Sequence, residues 1–251
     1  MSMKRDHVVG VARFAGILPG RVELPEDVVI VSPHLDDAVF SLGAAIARAT
    51  RSGGEVTVLT VLAGDPDSTA EAGVWDRDAG FATAGDAARQ RRDEDSRACA
   101  LVGAHPHWLP FSDHQYPRGG TADDVRAATV AAVADRPVLL PGFPLRHDDH
   151  FWLHALLADA FPAERLGLYT EQPYAFAHSD RPGRSEEVTA RDAPGPEAWR
   201  FLRAGARDRA RKVAACRAYS SQLSLLAPLV RQIFKYELRV GGESIVQPGA
   251  A

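Results

Sequence analysis

His34, Asp36 and Asp37 stand together in SPHLDDAVFSLG, residues 32–43, directly after the apolar run Val28-Val29-Ile30-Val31. More than a hundred residues later, RHDDH follows VLLPGFP and supplies His147, Asp149 and His150. His34, Asp37 and His150 offer two imidazoles and one carboxylate, a set that zinc accepts as three protein ligands with a fourth position left for water. Asp36, next in sequence to a ligand, could take a proton from that water. His147 lies three residues before His150, on the same side of a helix if one has begun there. It could stabilise an oxyanion or protonate a leaving amine, with Asp149 orienting it as outer carboxylates commonly do. Each motif alone also fits a loop whose aspartate caps the next helix. Two such motifs, each after a predicted parallel strand, favour a site.

These side chains need elements that aim them at one point. Residues 28–32 read as a buried parallel strand. A helix follows over SLGAAIARATRSGG, with Leu42, Ile46 and Ala49 on one face and Gly53-Gly54 ending it. EVTVLTVLAG is a second strand, which completes a βαβ unit. HPHWLPF, PVLLPGFP and LGLYTEQPYAF read as the third, fourth and fifth strands, and IFKYELRV as a small edge strand. Helices are expected over AARQRRDEDSRACALVGA, ended by Gly103, over TADDVRAATVAAVADR, capped by Thr121, over HDDHFWLHALLADAF, and over RARKVAACRAYSSQLSLL as one long segment. Residues 64–83 read as a loop or lid, and 178–196 as a polar loop rich in Pro and Gly. The fold class is α/β, a Rossmann-like three-layer arrangement around a mostly parallel sheet, with residues 1–251 as a single domain. In a 3-2-1-4-5 order, strands one and four are neighbours at the reversal of strand order. Ligands bind beyond the carboxyl ends of such strands, so the two motifs would face each other there.

The 251 residues are 45% hydrophobic with a formal net charge of -4. Nothing in that balance attracts nucleic acid or an anionic membrane surface. No signal peptide stands out, and no stretch approaches the ~20 apolar residues of a membrane span, so a cytoplasmic protein is expected. Cys99 and Cys216, both in Ala-rich helical surroundings, are read as two reduced buried thiols, with a single disulfide as the alternative.

At the two histidine motifs the sequence resembles the PIG-L/LmbE-type deacetylases, metal-dependent hydrolases that remove N-acetyl groups from glucosamine-containing substrates. The family's His-Pro-Asp-Asp-Glu stands here as His34-Leu35-Asp36-Asp37-Ala38, and its His-x-Asp-His as His147-Asp148-Asp149-His150. The resemblance implies zinc on His34, Asp37 and His150, with Asp36 as general base. It also implies that His147 assists at the oxyanion or amine and that Asp149 supports it. Weaker likeness extends through LPFSD, EQPYAF and RKVAACRAYSSQ, so it spans roughly residues 28–223. Leu35 and Ala38 depart from the pattern, which bears on loop rigidity and substrate preference more than on the metal. Leu145 offers no hydroxyl to an oxyanion, so such a donor must come from elsewhere.

The expected partner is a small-molecule amino-sugar conjugate, in natural-product or low-molecular-weight thiol metabolism. A homo-oligomer is left open, and iron(II) is the alternative to zinc. Rival readings are an amidase acting on a glucosaminyl-inositol thiol conjugate, and a non-catalytic binding module of the same fold. Candidate substrate contacts are Asp113, equally a turn-former, and Trp75, which could stack on a sugar or close the core. Arg92 could border the site, with Glu94, or lie on a solvated helical face. Tyr174 and Gln222 could line the pocket. His105, His107 and His114 find no carboxylate in the sequence to partner them convincingly. His154 reads as a helix-face residue, and His7 and His178 as solvent groups.

Overall fold

The computed structural model describes residues 21–176, 194, 198–239 and 242–249. His7, His178 and nearly all of 178–196 lie outside the described residues. Among the described residues one sheet has eight strands, in the order β1 (Arg21–Val22), β7 (Trp199–Leu202), β8 (Ser244–Val246), β6 (Leu166–Thr170), β5 (Val138–Phe143), β2 (Asp27–Ser32), β3 (Glu55–Thr60) and β4 (His105–Trp108). Its centre is five parallel strands, β2, β3, β4, β5 and β6. Strand β2 pairs with β3 on one side and with β5 on the other. The order among these five is the 3-2-1-4-5 arrangement expected from sequence, and the reversal falls between the two strands that precede the histidine motifs.

Val28, Val29, Ile30 and Val31 are all fully buried. The strand's period of two sends Val28 and Ile30 to one core and Val29 and Val31 to the other. Burying each side chain contributes about 1.5–3 kcal/mol, which is why a short run without alternation holds the middle of the sheet. On one face pack α1 (Asp37–Arg51), α3 (Ala84–Val102), α6 (Ala206–Cys216) and α7 (Ser220–Arg239). On the other pack α4 (Ala122–Val133) and α5 (Asp148–Leu157). The result is three layers.

Gly103 ends α3 with φ 80°, and α4 begins with a capping box between Thr121 and Asp124. Both cysteines are buried and neither is in a disulfide. Four parts of the sequence reading are corrected. The run IFKYELRV is not an edge strand, since α7 continues to Arg239. The long helix from 209 to 226 is two helices, broken at Arg217–Tyr219, where Tyr219 turns inward and is fully buried. Residues 64–83 contain a short helix, α2 (Val74–Asp78). The sheet also gains β1 (Arg21–Val22), β7 (Trp199–Leu202) and β8 (Ser244–Val246), short strands whose lengths of two to four residues leave little periodic signal.

Candidate metal centre

The loop after β2 is built around its own side chains. Ser32 Oγ accepts from the Ala38 amide at 3.0 Å, and Asp37 Oδ2 accepts from the His34 amide at 2.9 Å. Asp36 occupies the N-cap position of α1 at φ 156°, yet its carboxylate makes no capping bond. Among the described residues no group donates a hydrogen bond to that carboxylate, although Asp36 is only 6% exposed. The sparsely populated backbone is the kind of local strain that a tight surrounding must impose. The helix-capping explanation of this motif therefore fails for Asp36. In the second motif the cap is His147, whose Nδ1 accepts from the Asp149 amide at 3.2 Å, while Asp148 is exposed.

The two loops bring three donor atoms together across 116 residues of sequence. His34 Nδ1 lies 3.3 Å from Asp37 Oδ2 and 3.2 Å from His150 Nε2, and His150 Nε2 lies 3.1 Å from Asp37 Oδ2. A tetrahedral ion with ligand bonds of 2.0–2.1 Å needs donors about 3.4 Å apart. The near-equilateral triangle and its two-nitrogen, one-carboxylate chemistry fit a divalent ion. Two other donor groups, His34–His147–His150 and His114–His147–Asp149, also have ligand atoms within 4.8 Å of one another. The first triangle is tighter, with its three distances between 3.1 and 3.3 Å, and Asp37 Oδ2 is further oriented by the His34 amide. In the other two, His147 Nδ1 already serves as a cap.

Both histidines of the triangle have an outer carboxylate partner. His150, fully buried, sets Nδ1 against Glu171 Oε1 at 2.5 Å. Glu171, directly after β6, also accepts from the Leu145 amide at 2.9 Å, and Leu145 is held there at φ 49°. His34 sets Nε2 against Asp149 Oδ2 at 3.1 Å. Asp149 was expected to orient His147, but its carboxylate is 3.9 Å from His147 Nδ1. The physical reason is the cap: His147 Nδ1 faces the amide of Asp149, which turns the carboxylate toward His34. Glu171 was missed because a lone acid after a strand carries no spacing signal. His114 was dismissed for want of a carboxylate, yet its Nδ1 lies 2.9 Å from Asp149 Oδ2.

The electrostatics follow from this packing. Burial raises Asp36 well above the usual carboxylate range and the Asp37 charge adds to it, with His34, Arg91 and His150 only partly opposing. Burial would also raise Asp37, but His150 and His34 hold it far below that range. Burial would lower His34, yet its bonds to Asp149 and Asp37 raise it to about 9. Burial, then His34 and His150, lower His147 to about 4. His147 is therefore neutral, and with Nδ1 accepting, its proton sits on Nε2.

The remaining candidates scatter. Tyr174 sets its ring edge-to-face on His150 at 5.5 Å between centroids. Trp75, at 36% exposed, donates its indole N–H to Gln222 at 3.1 Å. Arg92 does not reach the site: it donates to the carbonyls of Ala63 and Gly64 and lies over the Trp108 ring. Its neighbour Arg91 is the one that acts on Asp36, and pairs with Asp76 at 2.5 Å. Asp113 accepts from Gln115 Nε2 and from the Gln115 amide, closing a turn. Glu94 is fully buried and anchors Ser220 and Ser221 at the start of α7.

A mostly parallel sheet with a histidine–aspartate donor set at the strand-order reversal defines a class of α/β protein, and solved deacetylases share the fold. The chain superposes with a TM-score of 0.64 on the A40926 pseudoaglycone deacetylase Dbv21, at 27% identity, covering 89% of this chain and 96% of that one. A deacetylase of the teicoplanin biosynthesis pathway gives 0.63 at 25% identity, covering 87% and 96%. The PIG-L family model, GlcNAc-PI de-N-acetylase, matches residues 29–161, and the chain belongs to that family. A 2'-N-acetylparomamine deacetylase of Streptomyces fradiae is 32% identical over 186 residues. That alignment covers 66% of this chain and 63% of the relative, so the chain spans somewhat less than two thirds of the relative's length. No helix among the described residues is long and apolar enough to cross a membrane.

Proposed function

We propose that the protein is a metal-dependent hydrolase that removes the N-acetyl group from an N-acetylglucosamine-type amino sugar in natural-product assembly. The observation that carries this reading is the donor triangle of His34, Asp37 and His150 beside the unpaired, buried carboxylate of Asp36. The relatives that deacetylate amino sugars or antibiotic conjugates support the substrate class.

A divalent ion held by the three ligands, zinc or another such as iron(II), would polarise the amide carbonyl and make its water acidic. Asp36 accepts a proton from the attacking water, and its raised basicity suits that task. The water oxygen forms the new bond to the acetyl carbon. His147 directs Nε2–H at the carbonyl oxygen as negative charge collects there, in the place that Leu145 leaves without a hydroxyl. The C–N bond then breaks, and the proton held by Asp36 passes to the departing nitrogen. Acetate and a free amine result, and one water is consumed. Tyr174 and Trp75 form walls for the sugar, whereas Arg92 and Asp113 have their polar atoms engaged within the protein.

Zinc-loaded protein mixed with N-acetylated aminoglycoside fragments should release acetate, and Asp36→Asn should lower kcat by about 10²–10⁴-fold, the range of acid–base catalysis, with bound zinc unchanged. Equal loss of zinc and turnover would make Asp36 a ligand instead of a base.

A further inference from the structure

Asp149 is fully buried, and its two oxygens collect more donors than a helix-start aspartate needs. Oδ2 faces His34 Nε2 at 3.1 Å, His114 Nδ1 at 2.9 Å and the His114 amide at 3.2 Å. Oδ1 receives the Arg118 guanidinium. His114 and Arg118 both come from the loop after β4, the fourth strand end to reach the site after those of β2, β5 and β6. That loop is itself pinned. Tyr116 donates to Asp76, Gln115 accepts from the Trp75 amide, and Arg118 lies over the Trp152 ring at 4.2 Å while donating to the Ser112 carbonyl. His34 Nδ1 faces the other donors, so the only ring atom through which the protein can fix the tautomer and tilt of His34 is Nε2.

We propose that His114 and Arg118 are positioning residues for the metal ligand His34, acting through the Asp149 carboxylate that they clamp onto its Nε2. The inference rests on the reading that His34, Asp37 and His150 hold a divalent ion. A carboxylate on the far nitrogen of a histidine ligand fixes its tautomer and strengthens it as a donor, and losing such a partner costs about 10–100-fold in metal affinity. Here the partner is itself kept in place by two residues from a different strand end, so part of that factor belongs to them. His114 is 57% exposed at its side chain, so its removal leaves the core intact.

The test is zinc affinity of the full chain by competition with a chromophoric chelator, together with the visible spectrum of the cobalt(II)-loaded protein. His114→Ala should weaken zinc binding by about tenfold and shift the cobalt bands, and Arg118→Met should do the same. His114→Asn, whose amide can donate in place of Nδ1–H, should recover most of the affinity. Wild-type affinity and spectrum in both His114→Ala and Arg118→Met would overturn the proposal while leaving the metal reading in place. If the unaltered chain binds no zinc at these ligands, the metal reading and the clamp fall together.

Discussion

His34 faces two ways, with Nδ1 toward the donor triangle and Nε2 toward Asp149. In the metal-free protein it holds a proton up to about pH 9, against an ordinary 6.5. The stability this contributes is present in full below about pH 6.5 and is lost as pH rises through about 9. A metal ion must displace that proton. His150, which burial would lower, is likewise held well above its ordinary range by Asp37 and Glu171, so apparent zinc affinity should climb by at least about tenfold per pH unit up to about pH 9, as measured by chelator competition; a flat profile from pH 7 to 9 would remove His34 from the ligand set. At this scale the sequence was a good guide wherever two residues of one motif sit beside each other. His34, Asp37 and His150 meet because the loops and helix starts that carry them follow β2 and β5, which are neighbours in the sheet. It failed where contact depends on a turn that pattern does not reveal. Glu171 and His114 are isolated in sequence and reach the site only through the ends of β6 and β4. Arg91 and Arg92 are consecutive on α3 but point about 100° apart, which adjacent letters cannot distinguish.

The elements were legible in proportion to their burial. The five central strands and the helices between them have apolar runs or caps long enough to read. The break at Arg217–Tyr219 has no Gly or Pro to announce it, because it is tertiary: the Tyr219 hydroxyl reaches the Asp95 carboxylate at 2.7 Å inside the core. The segment over 64–83 is held by backbone contact rather than by period. Gly85, in the first turn of α3, donates to the Ser68 carbonyl at 3.1 Å, and a Cβ there would stand 2.4 Å from that oxygen and 2.8 Å from the Pro66 carbonyl. Backbone atoms on both sides cannot yield cheaply. Gly85→Ala should cost about 1–3 kcal/mol and lower Tm by about 2–4 °C for each of them. Because the displaced segment carries α2 and Trp75, KM for the amino sugar should rise as well. An unchanged Tm would show that the segment is not anchored at Gly85.

Across the whole molecule, the sheet order turns two distant motifs into one site. The strand order reverses between the parallel neighbours β2 and β5, and the crevice left at their carboxyl ends is where His34 and Asp37 from one side meet His150 from the other. The same frame brings β6 in with Glu171 and β4 in with His114 and Arg118, so four strand ends shape a single pocket. Membership of the PIG-L family agrees with that architecture, and the departures at Leu35, Ala38 and Leu145 leave the donor triangle intact. The most direct measurement is anomalous diffraction at the zinc edge from crystals of the zinc-loaded full chain. A single peak bonded to His34 Nδ1, Asp37 Oδ2 and His150 Nε2 at about 2.0–2.2 Å, with Asp36 unbonded beside it, is the result expected. A peak centred instead on His114, His147 and Asp149, or none near Asp37, would contradict the account.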